Sequence, residues 1–288
     1  MKVKKNLMPD LKLMRGRIRV KNKKLFLIPY YLWIFLFVIL PILLIIWYSL
    51  TDSNHHFTLN NFAQFFRSGT FLRMMINSFW YAFLITVITL IISYPAAYFL
   101  TKMKNQQLWL MLIILPTWIN LLLKAYAFIG ILGNNGLVNK FLHLFGIGPV
   151  NILFTDFAFI FVATYIEIPF MILPIYNAIK EIDTALIQAS EDLGASKWQT
   201  FYYVLWPLSK PGVESGVQAI FIPSLSLFML TRLIGGNRVI TLGTAIEEYF
   251  MTTMNWNMGA TIGVVLIILM VLVMLLTGRK RKRKRVNL

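Results

Sequence analysis

The sequence predicts an all-α integral membrane protein with six transmembrane helices, and three observations support this fold class. Apolar residues make up 58% of the 288 residues and charged residues only 14%, whereas an ordinary soluble domain has about 25% charged residues. Six apolar segments are each long enough to cross a hydrocarbon core of about 30 Å as a helix. The charges collect mainly in two short tails outside these segments. This composition excludes most soluble enzymes and any long disordered protein.

The six apolar segments occupy most of the chain between the tails. Each is expected to be helical, because lipid offers no hydrogen-bond partner to exposed backbone N–H and C=O groups. Prolines inside several segments free backbone carbonyls and permit kinks. The expected bounds of the segments are 25–50, 74–100, 108–132, 152–176, 213–234 and 258–276.

The basic residues predict how the chain is oriented in the membrane. The net charge is +17, from 28 Lys and Arg against 11 Asp and Glu. Ten of the 28 lie in residues 1–24 and seven form the run 279–285. Basic segments beside membrane helices stay in the cytoplasm, and six crossings put both ends on one side. We therefore expect a cytoplasmic N-terminal tail at 1–24, a membrane domain at 25–277 and a cytoplasmic C-terminal tail at 278–288, with no nucleic-acid partner.

Several kinds of chemistry are excluded by the residues present. The sequence has no cysteine, which excludes thiol catalysis, disulfides and cysteine-held metals. His55 and His56 are adjacent but have no carboxylate or third ligand, so no metal site is expected. The segments contain no paired carboxylates and no Ser-His set, which argues against an intramembrane enzyme. There is also no G-x-x-x-x-G-K-[ST] phosphate loop, so we expect no catalytic residues and no directly bound cofactor.

The connection at 177–212 is long for a link between membrane helices and should have structure of its own. Apolar residues recur at helical spacing through its first half, and Gly194 matches the glycine that ends a helix. Ser196 is suited to cap a second helix, which we expect Pro207 and Pro211 to end before segment five. The pattern alone leaves two interpretations open: a membrane-surface hairpin without a partner, or a docking element.

The same connection carries a motif. Gln188-Ala189-Ser190, three residues and Gly194, followed by Val204-Leu205-Trp206-Pro207, resembles the cytoplasmic EAA loop of ABC importer permeases. That family pattern is E-A-A, three residues, G, nine residues and I-x-L-P. The spacing from Gly194 to Pro207 matches it, whereas four residues depart from it: Gln188, Ser190, Val204 and Trp206. Further runs resemble the first permease subunit of bacterial spermidine/putrescine importers: 116–118, 124–127, 132–139, 192–201 and 235–236.

This resemblance implies a type I ABC importer permease fold in the bacterial cytoplasmic membrane. It implies a second homologous permease subunit, an extracytoplasmic substrate-binding protein, and a cytoplasmic ATPase dimer that holds ATP and Mg²⁺. The solute would be spermidine or putrescine. The ATPase would grip the short helix of the loop and swing the membrane helices between inward-facing and outward-facing states. The residues expected to couple to the ATPase are Gln188, Ala189, Ser190, Glu191, Asp192, Leu193, Gly194, Ala195, Ser196, Lys197 and Pro207.

Two ionisable residues lie inside the predicted segments, and such residues mark transport pathways by default because charge is costly there. The carboxylate of Glu167 would attract a cationic solute. Three interpretations stay open: a pathway role, pairing with Lys124, or pairing with the partner subunit. At 1.5 Å per residue the two side chains differ by about 10 Å in depth. Because aromatic faces attract ammonium groups, the candidate path residues are Glu167, Lys124, Trp118, Tyr126, Phe228 and Met229, although membrane aromatics also serve as packing.

Arg232 lies near the outer end of segment five, where a cation would enter. Glu247 or Glu248 would neutralise it, or it would dock an acidic patch of a binding protein. The outer connection 51–73 is a second feature of this side. We expect a short amphipathic helix there that either packs on the membrane domain or contacts a binding protein, and its marker residues are Asn60, Phe62, Phe65 and Phe66.

Two rival functions remain on the sequence alone. An ABC permease for another small solute shares the same architecture and much of the resemblance. An ion-coupled secondary transporter working alone is a different class. That class is typically built from internal repeats and has more intramembrane carboxylates, and we find neither here.

Overall fold

The computed structural model describes residues 23–236 and 238–277, and its regular structure there is helical apart from one isolated bridge between Thr51 and Phe57. The all-α prediction is confirmed. The predicted tails lie outside the described residues, except Lys23 and Lys24, which begin the first helix. The α-helices of the described residues are α1 (Lys23–Ile34), α2 (Leu40–Ser49), α3 (Asn60–Arg67), α4 (Gly69–Lys102), α5 (Gln106–Ile114), α6 (Leu121–Leu132), α7 (Leu137–Leu144), α8 (Asp156–Lys180), α9 (Thr184–Asp192), α10 (Lys197–Thr200), α11 (Trp206–Ser224), α12 (Phe228–Gly235), α13 (Leu242–Glu247) and α14 (Trp256–Thr277).

Five stretches of the described residues are long and apolar enough to cross a membrane, and a sixth is a bent helix pair. The chain divides into two compact units, Met1–Leu44 and Ile45–Leu288, and the packing described below lies in the second. The second crossing is longer than predicted, and the fourth has the predicted length but lies four residues later in the chain. The five stretches are Leu27–Ser49, Gly69–Lys102, Leu121–Leu144, Asp156–Lys180 and Trp256–Thr277.

Helices α4 and α8 run parallel through the centre of the second unit. The hydroxyl of Tyr81 donates to Asp156 Oδ1 at 3.0 Å, and Ser93 Oγ donates to the Ile168 carbonyl at 3.5 Å. The two residues of each pair are separated by 75 positions in the chain, so the two helices run in the same direction. We call the end of the bundle where α4 finishes the Lys102 end and the end where α8 begins the Asp156 end.

Helix α11 runs antiparallel to α8 and approaches it closely at two glycines. A Cβ at Gly212 would lie 2.5 Å from the Pro174 carbonyl oxygen. A Cβ at Gly216 would lie 2.5 Å from Met171 Sδ and 3.3 Å from Pro174 Cγ. Glycine is needed at position 212 because the α8 backbone leaves no room for a side chain, whereas at position 216 the Met171 side chain fills the space. Gly212 faces Pro174, and Gly216, four residues later in α11, faces the earlier residue Met171 of α8, which shows that the two helices run in opposite directions.

The third crossing consists of α5 and α6 and is not the single helix predicted at 108–132. It is interrupted by the 3₁₀ turn Leu115–Trp118, because Pro116 has no amide hydrogen to donate to the helix before it. The side chain of Asn120 then caps α6 by accepting the Leu122 N–H at 2.8 Å. An Asn at this position ends one helix and starts the next.

Contacts of α5 and α6 show that together they join the two ends of the bundle. Tyr176 near the end of α8 donates to Gln106 Oε1 at 2.8 Å. Phe128 in α6 contacts Tyr165 near the start of α8, with ring centroids 5.1 Å apart. The stretch Leu121–Leu144 is also long and apolar enough to cross a membrane. However, α6 reaches the Asp156 end before α7 begins, so we assign the third crossing to α5 and α6.

The connection from α6 to α8 is fixed by one buried side chain at the Asp156 end. Asn139 is 4% exposed. Its Nδ2 donates to the carbonyls of Gly133 and Val150, and its Oδ1 accepts the Val150 N–H at 2.8 Å. Position 136, directly before α7, requires a glycine, because a Cβ there would lie 2.4 Å from the Ile131 carbonyl oxygen. This loop returns the chain to the start of α8.

The fifth crossing starts earlier than predicted and is bent. Helix α10 continues through the π-helical turn Phe201–Leu205 into α11, and α12 follows after a break at 225–227 with a bend of 68°. The prediction that Pro207 and Pro211 end the second loop helix is wrong. Pro207 lies just after the π-helical turn and has no amide hydrogen to donate, yet the helix continues through it. Pro211 forfeits one helical hydrogen bond, but the helix, packed tightly on α8, continues through it.

Helix α14 forms a second core with α3 and α13. Phe65 in α3 is fully buried and stacks on Phe71, with ring centroids 5.2 Å apart. Asn257 Nδ2 donates to the carbonyls of Thr51 and Tyr48 at 2.7 and 3.1 Å, which ties the start of α14 to the end of α2. The predicted amphipathic helix at 51–73 is confirmed, and its most buried side chain serves as packing.

Candidate coupling segment and transport path

The segment Thr184–Thr200, which we call the coupling segment, is a helix–turn–helix whose turn is determined by the sequence. Asp183 caps α9 by accepting the Ala185 N–H at 2.9 Å. Gly194 has φ +82°, a left-handed conformation that glycine adopts without the cost borne by other residues. Ser196 then caps α10 in a reciprocal capping box with Gln199. The predicted helix end at Gly194 and the predicted N-cap at Ser196 are confirmed.

The coupling segment projects from the Lys102 end with apolar side chains exposed. Leu193 beside the turn is 89% exposed and Trp198 is 73% exposed. Large apolar side chains exposed side by side usually mark an interaction surface. The structure brings ten of the eleven predicted coupling residues together in this segment, while Pro207 lies beyond it in α11. The ten are Gln188, Ala189, Ser190, Glu191, Asp192, Leu193, Gly194, Ala195, Ser196 and Lys197.

An aromatic cluster connects the coupling segment to the membrane helices. Trp198 stacks on Phe201, with centroids 5.3 Å apart, and Phe201 meets the Tyr94 ring of α4 edge-on at 5.5 Å. Tyr94 also contacts Trp206 at 5.3 Å and shares a 2.7 Å hydrogen bond with Ser209 Oγ in α11. These contacts pack the coupling segment directly against α4 and α11.

Within the coupling segment, the two helices are also joined to each other. Ser190 Oγ in α9 and Thr200 Oγ1 in α10 lie 2.9 Å apart in a hydrogen bond. The Ala195 N–H donates to the Ser190 carbonyl across the turn at 3.1 Å. These two bonds join α9 and α10 across the turn.

Glu167 is buried inside the bundle, with 7% of its surface exposed. Among the residues that the structure describes, none forms a hydrogen bond or an ion pair with its carboxylate. The Lys124 ammonium is near enough to interact with it electrostatically but does not contact it. The structure therefore does not support direct pairing of the two side chains, and the carboxylate oxygens remain free for another donor.

The predicted aromatic path residues lie on exposed surfaces of α6, α12 and the turn before α6. Trp118 is 77% exposed and Tyr126 is 58% exposed, while Phe228 is exposed at the start of α12 and Met229 is half-buried beside it. Helix α12 packs against α6, so these residues share one side of the bundle. Exposed apolar side chains on membrane helices are available for contact with lipid or with another protein chain.

Arg232 in α12 is paired, which confirms one alternative considered for it. Its Nη1 lies 2.5 Å from Glu247 Oε1, and their side chains are 51% and 21% exposed. The Glu247 carboxylate thus offsets the charge of the Arg232 guanidinium.

Sequence reasoning missed several residues of the site. Asp183 has a recognisable signal, since an Asp directly before a helical pattern is a common N-cap. The Tyr94–Ser209 hydrogen bond has none, because its residues are 115 positions apart.

Comparison with known proteins identifies the family. Residues 54–286 match the family described as binding-protein-dependent transport system inner membrane component. The spermidine/putrescine transport system permease protein PotB of Haemophilus influenzae is 34% identical over 259 residues, covering 86% of this chain and 90% of that protein. PotB of Escherichia coli is 34% identical over 244 residues, covering 81% and 88%.

A solved structure supports the fold. One chain of a bacterial alginate ABC transporter, crystallised in complex with an alginate pentasaccharide-bound periplasmic protein, superposes with a TM-score of 0.77 at 18% identity. The match covers 89% of this chain and 93% of that chain. At this identity the likeness shows the type I importer fold alone. Together with the sequence relatives, it shows that the chain belongs to the inner membrane permease family of binding-protein-dependent ABC importers, and is a non-catalytic, multi-pass subunit of a bacterial inner membrane transporter.

Proposed function

We propose that this chain is one of two permease subunits of an ATP-driven polyamine importer, and that spermidine and putrescine are its solutes. The observation that carries the coupling part of this proposal is the exposed coupling segment, which is packed onto α4 and α11 through aromatic rings. The relatives named for spermidine and putrescine transport support the choice of solute.

In this proposal the coupling segment is the docking site of an ATPase dimer. Leu193 and Trp198 supply apolar contact surface, and Glu191, Asp192 and Lys197 supply polar contacts around it. The ATPase holds ATP and Mg²⁺, and its closure pushes the coupling segment. The Trp198–Phe201–Tyr94 contacts then transmit that push to the membrane helices.

The Lys102 end is cytoplasmic in this proposal, and both termini lie on that side. The two basic tails carry 17 of the 28 Lys and Arg residues, and basic residues beside membrane helices favour the cytoplasm. In the described residues, five basic residues lie at each end of the bundle, and those at the Lys102 end are Lys102, Lys104, Lys180, Lys197 and Lys210. The Asp156 end then faces the extracytoplasmic binding protein. A second, homologous permease covers the exposed side formed by α6 and α12.

The solute passes between the two permeases and is attracted by Glu167. A buried carboxylate without a direct partner favours binding of a cation in its neighbourhood. Trp118, Tyr126, Phe228 and Met229 line the route on this side, where aromatic faces interact favourably with ammonium groups. An importer for a different small solute is the alternative, and it would leave the buried charge of Glu167 without a use in transport.

Orientation and docking are tested by single thiols, because the chain has no cysteine of its own. Leu193→Cys places a thiol on the coupling segment, and Phe57→Cys places one in an exposed position at the other end. A membrane-impermeant maleimide should label Phe57→Cys in cells with a permeabilised outer membrane. It should label Leu193→Cys only in inside-out vesicles, and added ATPase subunit should protect that site.

Two results would contradict the proposal. Labelling of Leu193→Cys from the outside would reverse the orientation. Equal labelling of Leu193→Cys with and without the ATPase, while the complex still assembles, would remove the coupling segment from the ATPase interface.

A further inference from the structure

Two buried hydroxyl groups in the membrane helices have no hydrogen-bond partner: Thr164 Oγ1 in α8 and Ser224 Oγ at the end of α11. Their residues are only 4% and 2% exposed. Hydroxyls in membrane helices commonly bond to a carbonyl of their own helix, as Thr89 Oγ1 does to Ile85 at 2.6 Å. Buried polar atoms without a partner are rare and call for an explanation, such as a ligand or a bound water.

Thr164 and Glu167 lie on the face of α8 that meets α11. They are three residues apart, so their side chains are neighbours on one helix face. Met171 and Pro174, seven residues further along, face Gly216 of α11. Seven residues correspond to about two helical turns, so Thr164 and Glu167 continue the same face toward the Asp156 end.

Ser224 reaches the same level from α11. It lies eight residues beyond Gly216, or about 12 Å along the helix, while Thr164 lies about 10 Å from Met171 in the matching direction. Ser224 is also the last residue of α11, directly before the 68° bend into α12. The two hydroxyls without partners thus lie at about the same depth near the bend, and the Glu167 carboxylate lies about one helical turn from Thr164 toward the Lys102 end.

We propose that Glu167, Thr164 and Ser224 form a binding site within this subunit for one primary ammonium group of the solute. A primary ammonium carries three N–H donors and no acceptor, and the cluster offers a carboxylate and two hydroxyl oxygens. Lys124 leaves the carboxylate oxygens uncontacted, so they are available to a ligand. This inference rests on the proposed function and adds to it. Thr164 and Ser224 accept hydrogen bonds from the ammonium group, so they favour a solute whose terminal nitrogen carries N–H donors.

The test is a comparison of two solutes in uptake by the complete transporter. One is spermidine, and the other is a spermidine analogue whose terminal nitrogens each carry three methyl groups, which keeps the charges but removes the terminal N–H donors. Each lost hydrogen bond to a charged group should change uptake efficiency roughly tenfold or more. We expect the wild-type transporter to prefer spermidine by at least that factor.

Thr164→Val removes the hydroxyl at nearly constant volume and should reduce this preference by roughly tenfold. Ser224→Ala should reduce it similarly, and Thr164→Ser should retain it. Thr89→Val is the matched control, because Thr89 is equally buried but its hydroxyl is bonded within its own helix. The amount of each variant in the membrane is measured alongside.

The outcomes separate the two proposals. An unchanged preference in both Thr164→Val and Ser224→Ala, with normal spermidine uptake, would overturn the ammonium site and leave a buried water as the partner of the hydroxyls. Wild-type transporter that takes up neither solute would instead overturn the polyamine function. A reduced preference in Thr89→Val equal to that in Thr164→Val would also refute the site, since it would reflect general packing.

Discussion

Replacing Gly194 tests whether the turn of the coupling segment transmits the action of the ATPase. Gly194 has φ +82°, and no heavy atom lies within 4 Å of the place where a Cβ would stand. A side chain therefore meets no steric obstacle, and only the backbone conformation opposes it. The left-handed conformation costs an ordinary L-residue about 1–2 kcal/mol, and asparagine tolerates it better than a β-branched residue does.

Gly194→Val and Gly194→Asn are consequently a matched pair of similar size. We expect valine to lower the equilibrium constant for the native turn by roughly five- to thirtyfold, because 1–2 kcal/mol corresponds to that factor at tenfold per 1.4 kcal/mol. The assay is the number of spermidine molecules imported per ATP hydrolysed in proteoliposomes. Valine should lower this ratio severalfold, while asparagine should stay within about twofold of wild type. Equal ratios in the two variants would refute the reasoning.

Three further predictions concern the framework around the site. Gly212→Ala should destabilise the bundle by about 1–3 kcal/mol, because its Cβ would lie 2.5 Å from a backbone oxygen of α8. The control Gly69→Ala meets no atom within 4 Å and should be nearly neutral. Thermal unfolding of the two variants in detergent measures the difference. Asn139→Leu should cost about 2–3 kcal/mol by leaving the Val150 amide unpaired, and an unchanged unfolding temperature would contradict this. Glu247→Gln should change stability by less than about 1 kcal/mol, because the ion pair with Arg232 is largely exposed; a large loss in the same unfolding assay would show that the pair is structural.

The local features of the coupling segment could be predicted because they depend on neighbouring residues. Gly194 at the turn and Ser196 at the N-cap both follow from backbone conformation and short-range hydrogen bonds. The membrane crossings could be predicted for a similar reason, since hydrophobic length alone decides them.

Tertiary packing overrode the local expectation that a proline ends a helix. The sequence predicts that Pro207 and Pro211 end the second loop helix, yet the helix continues through both of them where α11 packs on α8. The break at Pro116 shows the opposite outcome for the same residue type. Which proline interrupts a helix depends on partners that the sequence does not display.

The partnership of residues far apart in the chain could not be predicted. Lys124 lies near Glu167 without contacting it, and this separation depends on how α6 packs against α8. The unpartnered hydroxyls of Thr164 and Ser224 become visible only when every buried donor and acceptor is accounted for. These are the features from which the solute site is inferred.

Uptake of labelled spermidine tests the central claim most directly. It is measured in cells lacking this gene and in the same cells carrying it, with excess putrescine, sulfate or an amino acid as competitor. A polyamine importer predicts uptake that depends on the gene, is blocked by putrescine and is unaffected by sulfate and the amino acid. Gene-independent uptake in a strain without another polyamine importer would contradict the assignment of the solute.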